Sequence, residues 1–260
     1  MQSRGYWARQ NFTFRDVLLG PDAGHSLWQT CPYPALLDPS VGFGFHEDFW
    51  RTPLAGEWIL TEDAGKTGPD VLLDSVGGIY QLFADGDNND ESYLELVSEN
   101  FLVRAGKPIW FEASVYGLEA DTDKANLIVG LSAAPGADHI LDNGGGPPAN
   151  YQGAVWFKRD SNLYWEFEVS NGATQVTKAN QHVYASGVAH KLGFFISTAA
   201  LTDTIVTVYP SFDGVVDWAN GCALTIAALT EWKPFFGLKS GATGAEESIC
   251  VDYIRVVAAR

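Results

Sequence analysis

Positive charge is scarce in this chain. Only 16 Lys and Arg stand against 32 Asp and Glu, giving a net charge of −16 and an isoelectric point near 4.5. A phosphate-binding surface needs clustered Lys and Arg to release counterions, so the composition argues against nucleic acid as a partner. An anionic membrane would repel the chain as well, and the acidity reads as solubility. Cysteine is nearly absent: Cys31, Cys222 and Cys250 make an odd number with no C-x-x-C pair, so neither a disulfide framework nor a structural zinc site is expected. No apolar run approaches the ~18 residues of a bilayer-spanning helix. The opening "MQSRGYWARQNF" lacks the apolar core of a signal peptide. These absences point to folding in a reducing cytoplasm. A helical pattern between apolar segments is missing too, which argues against parallel βαβ units.

Aromatic residues are plentiful, at 13% with nine Trp, and flat side chains suit a pleated surface. The length allows one large or two small domains, and β-sandwiches of this size are often single. From Asp48 onward the sequence alternates with period two. Strands are expected at 57–62, 79–83, 93–97, 108–117, 125–132, 153–159, 163–170, 191–197, 204–212, 235–240 and 248–257. Gly, Asn and Asp clusters such as "DGDNND" and "DNGGGPPAN" separate them, as turn geometry requires. In "LYWEFEV", Leu163, Trp165, Phe167 and Val169 should face the core, with Tyr164, Glu166 and Glu168 facing solvent or a groove. The fold class expected is all-β: an antiparallel β-sandwich of residues 47–260 behind an extended N-terminal arm, 1–46.

The arm stands apart in composition. It holds Pro21, Pro32, Pro34 and Pro39, and it is neutral, with three Arg against three Asp. It carries Tyr6, Trp7, Phe12, Phe14, Trp28 and Tyr33. Arg and aromatics together suit an interface; packing back onto its own domain is the alternative.

The order of motifs carries a resemblance. "FHEDFW", "GEWILTEDAG", "GKPIWFEASVYGL", "GAVWFKRDSNLYWEFEVSNG" and the closing "VDYIRVV" follow one another. This resembles the concanavalin A-like (laminin G-like) jelly-roll proteins encoded beside capsid genes in tailed bacteriophages, over about residues 46–257. The resemblance implies a non-enzymatic virion structural protein. It would decorate or cement the capsid surface, bind the major capsid protein, and form a symmetric homo-oligomer. Arg4, Tyr6, Trp7, Arg9, Phe12, Arg15 and Trp28 would then be the gripping residues of the arm. No cofactor is implied.

Three other chemistries compete. "ADGDNNDESYLEL" (84–96) concentrates oxygen ligands as a calcium loop does. An EF-hand reading from Asp85 nevertheless puts Asp90 where Gly is required and Leu96 where Glu is required. A hairpin turn or a weak calcium site of another kind remains; no metal site is expected. Glu166 and Glu168 resemble half of a glucanase E-x-D-x-E strand, but Ser170 takes the third position. Sugar binding is the more serious competitor, since lectin sites stack sugar on exposed aromatics. Trp218, Trp232 and Tyr151 lie in turn-rich surroundings and are the candidates, whereas Trp110, Trp156 and Trp165 should fill the core. The five His residues are scattered and form no ligand pair.

Overall fold

The computed structural model describes residues 26–29, 31, 38–63, 70–73, 77–120, 123–198, 200–241 and 246–260. They form two antiparallel sheets. The nine-stranded sheet runs β13 (Val215–Val216), β12 (Ile205–Phe212), β11 (His190–Ser197), β6 (Ile109–Glu119), β16 (Glu247–Ala259), β4 (Ile79–Ala84), β3 (Val71–Leu73). In the same sheet β1 (Gly42–Glu47) pairs with β16 and β14 (Cys222–Thr225) with β12. The seven-stranded sheet runs β10 (Gln175–Val183), β9 (Tyr164–Asn171), β8 (Gln152–Lys158), β7 (Ala125–Ser132), β15 (Lys233–Ser240), β5 (Glu91–Leu96), β2 (Trp58–Glu62). All eleven expected strands are present, and the fold is an antiparallel β-sandwich.

Period-two alternation aims one face of each strand inward. Phe111, Ala113 and Val115 on β6 meet Leu127, Val129 and Leu131 on β7, and Trp165, Phe167 and Val169 on β9 join the same core. Fully burying each large side chain of this kind contributes about 1.5–3 kcal/mol. Trp156 crosses the core to donate its indole N–H to the Gly193 carbonyl at 2.8 Å. That bond satisfies a buried donor and ties β8 to β11. Trp110 is buried as expected, but on the outer side of the nine-stranded sheet.

The start of the sandwich differs from the sequence reading. Gly42–Glu47 pairs with β16 from Ala259 to Ile254, so the last residues assigned to the arm belong to the sheet. The short helix α1 (Ser26–Gln29) also lies on this sheet. Its Leu27 is fully buried against Trp110, Val216 and Val257, and the Leu27 N–H donates to the Gly214 carbonyl at 3.0 Å. A tight turn follows β1. Phe49 adopts φ 42°, and its ring packs within 6 Å of Trp58, Tyr80 and Phe236. That packing holds a conformation that costs about 1–3 kcal/mol and points the next residue, Trp50, into solvent at 71% exposure.

Candidate binding surfaces

The centre of the outer face of the seven-stranded sheet is closed. The connection 133–151 between β7 and β8 lies across it, seating Ile140 and Tyr151 on Tyr93, Ile128, Val155, Phe157 and Phe235. His139 stacks edge-on against both Tyr151 and Phe235. Gly237 makes room beneath, because a Cβ there would stand 2.0 Å from the Tyr93 ring. The Tyr93 hydroxyl accepts the Ile140 N–H at 3.1 Å.

An ionic cluster fixes this cover at Asp138 and Asp142. The Lys239 ammonium, 2% exposed, meets Glu91 at 3.0 Å, Asp138 at 2.6 Å and Asp142 at 2.8 Å. Burial pulls the Lys239 pKa down, but the hydrogen bonds to Asp138, Asp142 and Glu91 more than reverse this. The Glu91 pKa is raised by burial and partly restored by the Asp138 N–H and Lys239. His139 is kept neutral, its pKa lowered by burial to about 3. Along the same face Lys233 pairs with Glu95 at 3.0 Å.

Glu166 and Glu168 belong to this closed face, which corrects the solvent or groove placement. Their exposures are 1% and 6%. Arg159, across the β8–β9 hairpin, holds Glu166 through two bonds of 2.6 and 3.1 Å. Glu168 accepts from Thr177 and, at 3.1 Å, from Gln175. Burial raises the Glu168 pKa. A glycosidase pair must flank a substrate-sized gap, and these two carboxyls are covered and already hydrogen-bonded. The i, i+7 spacing of Arg159 and Glu166 around the "RDSN" turn was the sequence signal for that pairing.

Part of the outer face of the nine-stranded sheet is a row of aromatics, beside Glu112, which is 3% exposed and accepts the Tyr253 hydroxyl at 2.8 Å. Phe195 stacks on Trp110 at 5.3 Å and lies 6.4 Å from Tyr209, and Trp218 closes the row edge-on, 5.0 Å from Tyr209 and 5.9 Å from Phe195. Trp218 is 49% exposed. Its position is fixed by the preceding Asp217, whose carboxylate accepts the N–H groups of Ala219 and Asn220 and the Asn220 amide. Those bonds, led by the Asn220 side chain, hold the Asp217 pKa below its usual value.

Of the three aromatics considered for sugar stacking, only Trp218 is exposed. Trp232 is fully buried, because its backbone bridges Phe101 through bonds of 3.0 and 2.8 Å. Tyr151 is 7% exposed, turned onto the sheet at the end of the 133–151 cover. The three therefore form no common site. Trp50, the most exposed Trp among the described residues, is absent from the sequence-based candidates; the φ of Phe49 that turns it outward leaves no mark in the residue pattern. Of the arm residues, Arg4, Tyr6, Trp7, Arg9, Phe12 and Arg15 lie outside the described residues. Trp28 stands on its own sheet, with the Arg255 guanidinium 3.6 Å from its ring centre.

The acidic loop 85–90 is a turn bound into the sandwich. The Asn89 N–H donates to Ser240 and the Ser240 N–H to Asp90, at 2.9 and 2.7 Å. The Asp90 pKa is pushed up to about 6, first by burial and then by its hydrogen bond to Asp85. Among the described residues, no group of three or more His, Cys, Asp or Glu side chains is arranged to hold a metal ion.

No family model and no curated protein matches the chain. Solved structures do. Peanut lectin, solved with a nine-residue peptide, superimposes with a TM-score of 0.54 at 12% identity, over 84% of this chain and 97% of the lectin. The lectin UEA-II, complexed with galactose, gives 0.53 at 11% identity over 83% and 98%. An endo-1,3-β-glucanase from Streptomyces sioyaensis gives 0.51 at 12% identity over 82% and 95%. The fold is thus the concanavalin A-like jelly roll.

Proposed function

We propose that this protein is a non-enzymatic virion structural protein that decorates or cements the capsid of a tailed bacteriophage by binding the major capsid protein. It would be made in the host cytoplasm and end on the capsid surface as a symmetric homo-oligomer. The observation that carries the non-enzymatic reading is the closed outer face of the seven-stranded sheet: its buried carboxyls are matched by Lys239, Lys233, Arg159 and Thr177, and 133–151 covers its aromatics. The aromatic row ending at Trp218, beside α1, offers a half-exposed surface to a partner. The capsid as partner rests on the motif resemblance.

The test is co-sedimentation of the full chain with assembled capsids, beside a truncation lacking residues 1–25. The cut stops short of Leu27, which the fold needs. Stoichiometric binding by the full chain, lost in the truncation, is the expected result. No binding by the full chain contradicts the capsid reading, and full binding by the truncation contradicts the role of the arm.

A second reading is a carbohydrate-binding module on the virion. The 49% exposure of Trp218 on an aromatic base favours it, and proteins named as lectins share the fold. Saturable binding on a glycan array, abolished by Trp218→Ala, supports it. Release of reducing sugar, lost in Glu166→Gln, would instead identify a glycosidase.

A further inference from the structure

One end of the core holds ionisable groups that the binding surfaces do not use. Lys158 on β8 points inward, and its side chain is fully buried. It spans the sandwich to contact the carboxyl of Glu119 on β6, itself 4% exposed, and donates to the Ala125 carbonyl at 3.0 Å. The Tyr184 ring lies 5.0 Å from the ammonium. Glu247 on β16 is the register partner of Glu119 and is fully buried.

The arrangement divides into three roles. Lys158 is an amine held against a carboxyl group. Glu119 is that carboxyl, and two backbone N–H groups bind it: Ala125 to Oε1 at 2.9 Å and Asp123 to Oε2 at 3.3 Å. Donors in these places stabilise the negative charge that develops when a nucleophile adds to the carboxyl carbon. Glu247 is the remaining group. Among the described residues neither of its oxygens has a hydrogen-bond partner, and the Lys158 ammonium and the Gly241 N–H act on it only by favouring its charged form. Burial first, and then the Glu119 charge, push its pKa up to about 8, so near neutrality it carries a proton. Asp160 adds to this and is itself held by Lys124 at 3.4 Å.

We propose that Lys158 and Glu119 condense spontaneously to an isopeptide bond that covalently joins the two sheets, with Glu247 as the proton carrier. The Lys158 Nζ, having passed a proton to the Glu119 carboxylate it contacts, attacks the Glu119 carboxyl carbon. A C–N bond forms and one C–O bond breaks. Glu247 delivers its proton to the departing oxygen and recovers one from the nitrogen. The ammonium loses two protons in all, the carboxylate oxygen leaves with them as water, and Glu247 ends as it began. No oxidant or cofactor is needed. Holding amine and carboxyl in contact replaces a bimolecular encounter, and exclusion of solvent opposes the reverse hydrolysis.

The test is the intact mass of the full chain under denaturing conditions, followed by peptide mapping. The expected mass is lower by one water, about 18 Da, with a branched peptide joining residues 119 and 158. Lys158→Arg keeps the charge and should show the full mass. Glu247→Gln should fold, by circular dichroism, and also show the full mass. Glu119→Gln should reach the same branched peptide by losing ammonia. Full mass in the wild type, with Lys158 open to amine labelling once unfolded, overturns the bond. A water loss mapped elsewhere overturns it too, and a branched peptide persisting in Glu247→Gln overturns the role of Glu247.

Discussion

The two outer faces of the sandwich solve the same problem in opposite ways. Both sheets leave one side without a partner sheet. On the seven-stranded sheet that side carries Glu91, Glu95, Glu166 and Glu168, and the chain covers it with its own connection, 133–151, neutralising the charge with Lys and Arg drawn from β15 and the β8–β9 hairpin. On the nine-stranded sheet the side carries Trp110, Phe195 and Tyr209. Among the described residues α1, Cys31 and Val216 cover part of it, and the row ends in a half-exposed Trp. A face sealed by paired charges is a structural element. A face of aromatics sealed at one end only is a surface on which a partner gains apolar burial. The proposed partner site on the nine-stranded sheet rests on that contrast.

The contrast can be broken most forcefully at Lys239. Lys239→Met removes the ammonium that three carboxyls share and leaves Glu91, 6% exposed, unpaired. Breaking a buried pair in this way costs about 3–5 kcal/mol. Most of the cost arises at Glu91, because Asp138 and Asp142 are 70% and 55% exposed and screened by water. Urea unfolding should show the loss, and hydrogen exchange should show 133–151 opening first. A loss below about 1 kcal/mol would mean that the ion cluster does not hold the cover.

Acid should loosen the same cover through His139. Its folded pKa, about 3, lies below the ordinary 6.5, so the unfolded chain binds the proton more readily. Stability linked to His139 is complete above pH 6.5 and is lost as the pH falls from there toward 3. The slope is up to about 1.4 kcal/mol per pH unit. His139→Gln removes this term, so the wild type should lose stability relative to the variant across that window. Parallel stability curves for the two proteins would contradict it.

The sandwich itself was legible because its central strands alternate cleanly. β6, β7 and β9 each show one apolar face in sequence, and each is where expected. β10 was not legible: as the last strand of its sheet it pairs on one side only, and its "QVTKANQHV" is largely exposed and polar. β1 was hidden by the composition of the segment before it, although Phe43 and Phe45 already alternate with Gly42 and Gly44. The polar face of β9 was read correctly as a face and wrongly as open. What covers it is a connection more than a dozen residues away in sequence, held by Lys239 from near the far end of the chain. Turn-rich surroundings predicted the exposure of Trp218 but also suggested it for Trp232, whose long-range bridge to Phe101 no local pattern records.

Smaller perturbations sharpen the open side. Trp28→Ala should cost about 1–2 kcal/mol by removing the ring beneath the Arg255 guanidinium, with the melting temperature as readout and hydrogen exchange at 133–151 unchanged. Trp218→Ala should cost less than about 1 kcal/mol, since half of the ring is already in water. It should nevertheless weaken partner binding measurably. A Trp218→Ala protein with native stability and undiminished binding to capsids and glycans would remove this row from the interface.

The most direct test is hydrogen exchange of the full chain, free and bound to assembled capsids. The account predicts new protection in β12 and across 213–221, around Tyr209 and Trp218, with 133–151 unchanged. Protection confined to 133–151 and the strands beneath it, with β12 and Trp218 exchanging as in the free protein, would contradict it.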